Sequence, residues 1–117
     1  MTTQEVANRL IELCRKGQVL EAQQELFADN VTSTEPINSP NQSAQGKPNV
    51  LAKGKAFAES IEERHDGFFG DPIVCGSYFS FACMLDITMK GMGRMKLEEI
   101  CVMKVEDDKI VSELFLY

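Results

Sequence analysis

The stretch LFADNVTSTEP, Leu26–Pro36, changes character twice. It opens like the end of an amphipathic helix and passes into a β-prone Val-Thr-Ser-Thr run. It stops at Glu35, the residue before Pro36. A proline disfavours helical backbone in the residue before it, so Glu35 is expected to be extended, at the exit of a short strand over Val31–Glu35. What lies on either side of this switch sets the fold class.

Upstream the chain reads helical. Thr2-x-x-Glu5 has the form of a capping box. Val6, Leu10, Leu13 and Cys14 then recur at helical spacing, and Gly17 follows Arg15 and Lys16 as a stop. A second helix is expected over Gln18–Ala28, with Val19, Ala22, Gln23 and Leu26 on one face. Downstream, Pro36–Gln45 is a polar loop broken by Pro40. Gly46-Lys47-Pro48 opens a third helix whose stripe is Val50, Gly54, Phe57, Ala58 and Ile61, fading near His65-Asp66-Gly67. His65 would then sit at a helix C-terminus as a dipole partner.

The second half switches to period two. A strand over Phe68–Cys75 is interrupted by Pro72. Tyr78–Met89 alternates, with Phe79, Phe81, Cys83, Leu85 and Ile87 on one face. Gly91-Met92-Gly93 turns the chain into Arg94–Val105. Glu106-Asp107-Asp108 turns it again into Lys109–Tyr117. Helices followed by a meander define an α+β domain, with three N-terminal helices packed on one face of a curved, mainly antiparallel sheet. Residues 1–117 read as one domain.

Bulk composition narrows the function classes. Apolar residues make up 44% of the chain, enough for a core. Twelve basic against 18 acidic residues leave a net charge of −6, which disfavours nucleic acid as a partner. Cys14, Cys75, Cys83 and Cys101 lack Cys-x-x-Cys spacing, and with a single histidine no zinc set is visible, so buried free thiols in a reducing cytosol are expected. MTTQEV does not start like a signal peptide, and no apolar run approaches membrane-spanning length. A cytoplasmic protein with no membrane partner is the expectation. No phosphate loop, dinucleotide fingerprint or metal-ligand set appears, so neither cofactor nor metal is implied.

The most informative strand is Arg94–Val105. Met95, Leu97, Glu99, Cys101, Met103 and Val105 share a face that is apolar except at Glu99. A carboxylate there is costly unless paired, protonated or wet. In the last strand Val111, Glu113, Phe115 and Tyr117 share one face, and Ile110, Ser112, Leu114 and Leu116 the other. Bland readings stand beside the chemical ones. Glu99 could bond a neighbouring strand, Glu113 could face solvent or an interface, Tyr78 and Tyr117 could be packing residues, and Glu35 could accept turn hydrogen bonds.

Two stretches, Leu26–Val31 and DDKIVSELFLY at 107–117, resemble the nuclear-transport-factor-2-like superfamily in its bacterial SnoaL-like and ketosteroid-isomerase-like branch. The resemblance spans nearly the whole chain and implies a cystatin-like cone. A strongly bent sheet would wrap a long helix, an apolar pocket would open at the wide end, and homodimers would form through the outer sheet face. The isomerase works with an aspartate base beside an oxyanion hole made of a tyrosine and a protonated aspartate. By motif, Ser33-Thr34-Glu35-Pro36 puts Glu35 at the base position. Arg9-Leu10-Ile11-Glu12-Leu13 places Leu10 where the tyrosine stands, and Cys101 falls where the neutral acid stands. Steroid isomerisation by that mechanism is therefore not expected, because each lost donor costs on the order of 10²–10³ in rate.

The resemblance also implies pocket positions for Glu99, Cys101, Glu113, Phe115 and Tyr117, with Tyr78 helping to shape the pocket. The expectation is a pocket for a small hydrophobic molecule. In the enzyme reading, cofactor-independent isomerase, cyclase or dehydratase chemistry uses Glu35 as base and Glu99 as acid, with Tyr78, Cys101, Glu113, Phe115 and Tyr117 contacting ligand. The alternatives are a non-catalytic ligand-binding protein and a dimeric interaction domain.

Overall fold

In the computed structural model, which describes residues 1–117, the N-terminal capping box is closed in both directions. The Glu5 amide donates to Thr2 Oγ1 at 3.1 Å and the Thr2 amide donates to Glu5 Oε1 at 2.9 Å. Helix α1, Thr3–Arg15, buries Val6, Ala7, Leu10, Ile11, Leu13 and Cys14. Its stop is Gly17 at φ +75°, a left-handed position that glycine adopts without steric cost. Helix α2, Val19–Leu26, is tied to α1 by Arg9, which donates to both Glu25 carboxylate oxygens at 2.8 and 3.0 Å.

The helix-to-strand switch comes earlier than the sequence suggests. Strand β1 is Phe27–Thr34, so Asp29 and Asn30 belong to a strand and do not end a helix. Phe27 lies opposite Ile110, and both are buried. This long-range pairing overrides the local helical look of Phe27 and Ala28. After the loop come strand β2 (Ala44–Gln45), helix α3 (Lys47–Ser60), and strands β3 (Ile61–Phe69), β4 (Ile73–Cys75), β5 (Tyr78–Met89), β6 (Gly93–Glu106) and β7 (Lys109–Leu116). The sheet order is β2-β1-β7-β6-β5-β3, with β4 pairing along β5. All pairings are antiparallel except β1 with β7, so the sheet is mixed.

Several boundaries depart from expectation, each for a physical reason. Helix α3 ends at Ser60, and the next nine residues, Ile61–Phe69, form β3. Glu62–Asp66 are all exposed, so this edge strand carries no period-two signal, and charged edges are how sheets avoid further pairing. His65 therefore lies on a strand, where Nε2 meets Thr88 Oγ1 at 2.7 Å, and it caps no helix. The expected Phe68–Cys75 strand divides into the end of β3 and the short β4. Of the stripe expected on α3, only Val50 is buried. Gly54 faces α2 so closely that an added Cβ would lie 2.6 Å from Gln23 Oε1.

The meander itself follows the sequence pattern. Phe79, Phe81, Cys83 and Ile87 of β5 and Cys101, Met103 and Val105 of β6 are buried on one face, and all but Ile87 join the α1 side chains in one core. The β6–β7 turn places Asp107 and Asp108 at φ +50° and +66°, which matches the two left-handed central residues of a tight hairpin. One irregularity changes the last strand. Val105 pairs with Ile110 but Lys104 pairs with Ser112, which leaves Val111 as a bulge. Ile110, Glu113 and Phe115 thus face inward, and Val111 does not share the Glu113 face as strict alternation would require. On the outer face Ile100, Leu114 and Leu116 stay substantially exposed.

Candidate active site

The inner sheet face has two ends. Beneath α1 it is fully covered. Beyond Cys101 and Cys83 the cover is partial: Leu85, Leu97, Glu99 and Phe115 point inward yet are only half-buried, although Ile87 farther along β5 is fully buried. Here the helices leave the concave surface open.

Glu35 sits at the margin of this open end, just past β1. Its side chain is 7% exposed. Lys53 Nζ, from α3, lies 2.7 Å from Glu35 Oε2, and the Tyr117 hydroxyl donates to Glu35 Oε1 at 2.6 Å. The Glu35 amide donates to Ser43 Oγ at 3.0 Å, which fixes the backbone beside Pro36. Lys53 also donates to Ser33 Oγ at 2.9 Å and stands 5.2 Å from the centre of the Phe115 ring. Asn41 Nδ2 donates to the Tyr117 oxygen at 2.8 Å, and Ser39 Oγ is hydrogen-bonded to the same oxygen. The loop after Pro36 is thereby fastened to the last residue of the chain, directly over Glu35.

Two more carboxyls lie within electrostatic reach. Glu113 is 5% exposed, and its Cα partner on β1 is Ser33. Burial pushes its carboxyl up to about 7; Glu35 and Glu99 add to the rise, while the Ser33 hydroxyl and Lys53 oppose it. Glu99 is also raised above the usual carboxylate range. Burial is the main cause and the negative charge of Glu35 the second, with Cys101 and Lys53 acting the other way. Cys101 Sγ contacts Glu99 Oε1 at 3.7 Å. The buried thiols are unreactive: burial pushes Cys14 and Cys83 up to about 12 and Cys101 higher still, so thiolate is scarce at neutral pH.

The fold therefore brings together Glu35, Glu99, Cys101, Glu113, Phe115 and Tyr117 on or beside one face. Tyr78 stands apart. It pairs with Lys104 on the outer face, 5.7 Å beneath that ammonium and 49% exposed, so it does not shape the open end. The residue the sequence reading missed is Lys53. It lies three positions after Val50, on the side of α3 that should carry apolar residues. A lysine in that stripe is the counterpart of Glu99 in its own, and it could have been flagged by the same argument. Ser33, Ser39 and Asn41 carried no comparable signal, because polar residues in a strand end and a loop are unremarkable. An open concavity of about 530 Å³ bordered by Lys53, Asn49 and Ser43 adjoins the site, and a second of about 400 Å³ lies mainly on the outer face of the sheet, along Phe68, Met84, Ile100 and Leu116. No group of three or more His, Cys, Asp or Glu is arranged to hold a metal ion, and no helix is long and apolar enough to cross a membrane.

A bent sheet wrapped over helices is the fold of the nuclear-transport-factor-2-like class, shared with a Burkholderia pseudomallei protein 17% identical at a TM-score of 0.78. Within it the chain belongs to the SnoaL-like family, whose domain model matches residues 1–117. A Mesorhizobium loti protein, described as a SnoaL-like polyketide cyclase and also as a carbohydrate phosphatase, is 30% identical with a TM-score of 0.93, and all of both chains is covered. A Catenulispora acidiphila protein of ketosteroid-isomerase-like fold, solved with trimethylamine, is 16% identical with a TM-score of 0.76, over 99% of this chain and 87% of that one. A cystatin-like protein from Xanthomonas campestris is 17% identical with a TM-score of 0.75, over 99% of this chain and 90% of its own. No curated protein matches the chain in sequence.

Proposed function

We propose that the open end carries out cofactor-independent acid–base chemistry on a small, largely apolar carbonyl compound, of the isomerase, cyclase or dehydratase type. The observation that carries this reading is the Glu35 carboxylate, nearly buried yet held by Lys53 and Tyr117 at 2.7 and 2.6 Å beside an uncovered apolar surface. Glu35 removes a proton next to the carbonyl. Negative charge then develops on the substrate oxygen, and two donors are available to meet it. Lys53 brings a positive charge, and Glu99, biased toward its neutral form by burial and by Glu35, can donate a proton. These groups occupy the roles left empty by Leu10 and Cys101, so the proposed chemistry differs from that of the steroid isomerase in its oxyanion donors. A carboxylate is too weak a base for an unactivated ketone, so the reaction calls for substrates whose protons are already acidified, such as 1,3-dicarbonyls or unsaturated ketones.

The experiment is deuterium exchange at the carbon next to the carbonyl, followed by proton NMR for a panel of small 1,3-diketones and cyclic enones in D₂O. The wild-type protein should accelerate exchange, and Glu35→Gln should lower the rate by about 10²-fold or more. Exchange no faster than in buffer, or equal in the two proteins, overturns the reading.

A further inference from the structure

The concave face holds a second cation that nothing neutralises. Arg64, on β3, forms no ion pair and no side-chain hydrogen bond, although Glu62, Glu63 and Asp66 surround it in sequence. Its direction is fixed by register. Arg64 lies opposite Ile87, and Gly67 opposite Leu85, so both are on the inner side of the sheet, while His65 is the extra residue of an irregularity between them. The side chain folds back over Gly67. A Cβ added there would fall 2.8 Å from Arg64 Cζ and 2.9 Å from Nε, with Nη2 closer still. The guanidinium of the exposed Arg64 thus lies against the bare backbone at Gly67, on the inner side of the sheet. That orientation agrees with the pull of Arg64 on the buried Cys83 thiol, whose side chain is on the same face.

The ladder pairs then give the spacing of the site. Gly67 is opposite Leu85, Leu85 opposite Leu97, and Cys83 opposite Glu99. Arg64 accordingly stands at one side of a floor made by Leu85 and Leu97. Glu99, with Glu35 and Lys53 behind it, stands at the other. We propose that Arg64 is a specificity-determining residue that anchors a carboxylate on the substrate, so that the open end takes small carbonyl compounds whose apolar body ends in an acid group. A guanidinium offers paired donors to a planar carboxylate, which a lone ammonium does not. Lys53, beside Glu35, serves the reacting end of the ligand, which leaves Arg64 as the cation for its far end.

This inference rests on the acid–base reading of the same open end, but its test reads binding alone. Phenylacetate and phenylacetamide have the same body and differ in charge at one end. Each is titrated against the wild-type protein, Arg64→Gln and Gly67→Ala by isothermal calorimetry at low salt. The wild-type protein should prefer phenylacetate roughly tenfold or more, Arg64→Gln should lose that preference, and Gly67→Ala, which keeps the charge but displaces it, should reduce it. Unchanged preference in Arg64→Gln overturns the proposal, as does a wild-type protein that binds neither compound or both equally. Slow deuterium exchange with intact discrimination would instead count against the base assignment and leave the anchor standing.

Discussion

The same two strands build both ends of the inner face, and the ends behave differently. Under α1, β5 and β6 present Phe79, Phe81, Cys101 and Met103, all at most 6% exposed and in contact within one apolar core. One pleat beyond Cys101 the face carries Glu99, half-buried, and across the sheet Glu35, Glu113 and Tyr117. The strands are continuous, so the difference comes from what lies on top. Helix α1 has an apolar side and closes its end. Helix α3 contributes Val50 to the core and Lys53 to the carboxylates, and leaves Leu85, Leu97 and Glu99 half-covered. A concave sheet covered at one end by an amphipathic helix and at the other by a mostly polar one becomes half core and half site.

Substitutions at the two ends should differ in size and in sign. The largest effect is expected at the closed end. Phe79 is 1% exposed and stacks on Phe81 with ring centres 6.3 Å apart, so Phe79→Ala should destabilise by about 3–5 kcal/mol in urea melts. A loss under 1 kcal/mol would mean that this end is not the rigid half.

At Glu113, buried on β7 opposite Met103, the next effect has the opposite sign. Glu113 titrates at about 7 in the fold, against 4.5 as the ordinary value. The folded chain therefore keeps this proton to higher pH than the unfolded chain. The stability tied to it is complete below about pH 4.5 and is lost as pH rises through 7, an amount of about 3 kcal/mol. Glu113→Gln cannot ionise, so its unfolding free energy should fall less than that of the wild-type protein between these limits and exceed it above pH 7. Denaturation midpoints measured across that range check this, and parallel curves for the two proteins would show that Glu113 is not held neutral by burial.

The smallest effect is expected at the clasp over Glu35. Tyr117→Phe removes the hydroxyl shared by Glu35, Ser39 and Asn41 but keeps the ring, whose residue is 54% exposed. It should cost about 1 kcal/mol and speed proteolysis in the 36–43 loop. Loop cleavage at the wild-type rate would separate the clasp from loop order.

Much of this architecture is legible in the residues, and the failures follow one cause. The capping box, the β5–β6–β7 meander and its inner face are local periodic patterns backed by burial on one side only. The β3 strand is not legible, because Glu62–Asp66 are exposed and the strand is set by its pairing with β5. The early start of β1 depends on Phe27 meeting Ile110, and the bulge at Val111 on the way β7 meets β6. Glu99 was visible as a carboxylate on an apolar face. Glu35 was visible through its motif. Tyr78 falls opposite the Phe79 face by simple alternation, and the structure keeps it outside, beneath the Lys104 ammonium.

The sequence by itself determined an α+β layering of helices on a meander sheet, with an odd carboxylate on one apolar face and a second at the exit of the first strand. Periodicity is enough for that, since burial on one side imposes period 2 or 3.6 on the chain. Only the tertiary structure decided that Lys53 and Tyr117 hold Glu35, that Glu113 is buried behind Ser33, and that Arg64 is seated inward on Gly67. Those relations join residues far apart in the chain, and they depend on how far the sheet bends and where the helices stop covering it, quantities that no local pattern encodes.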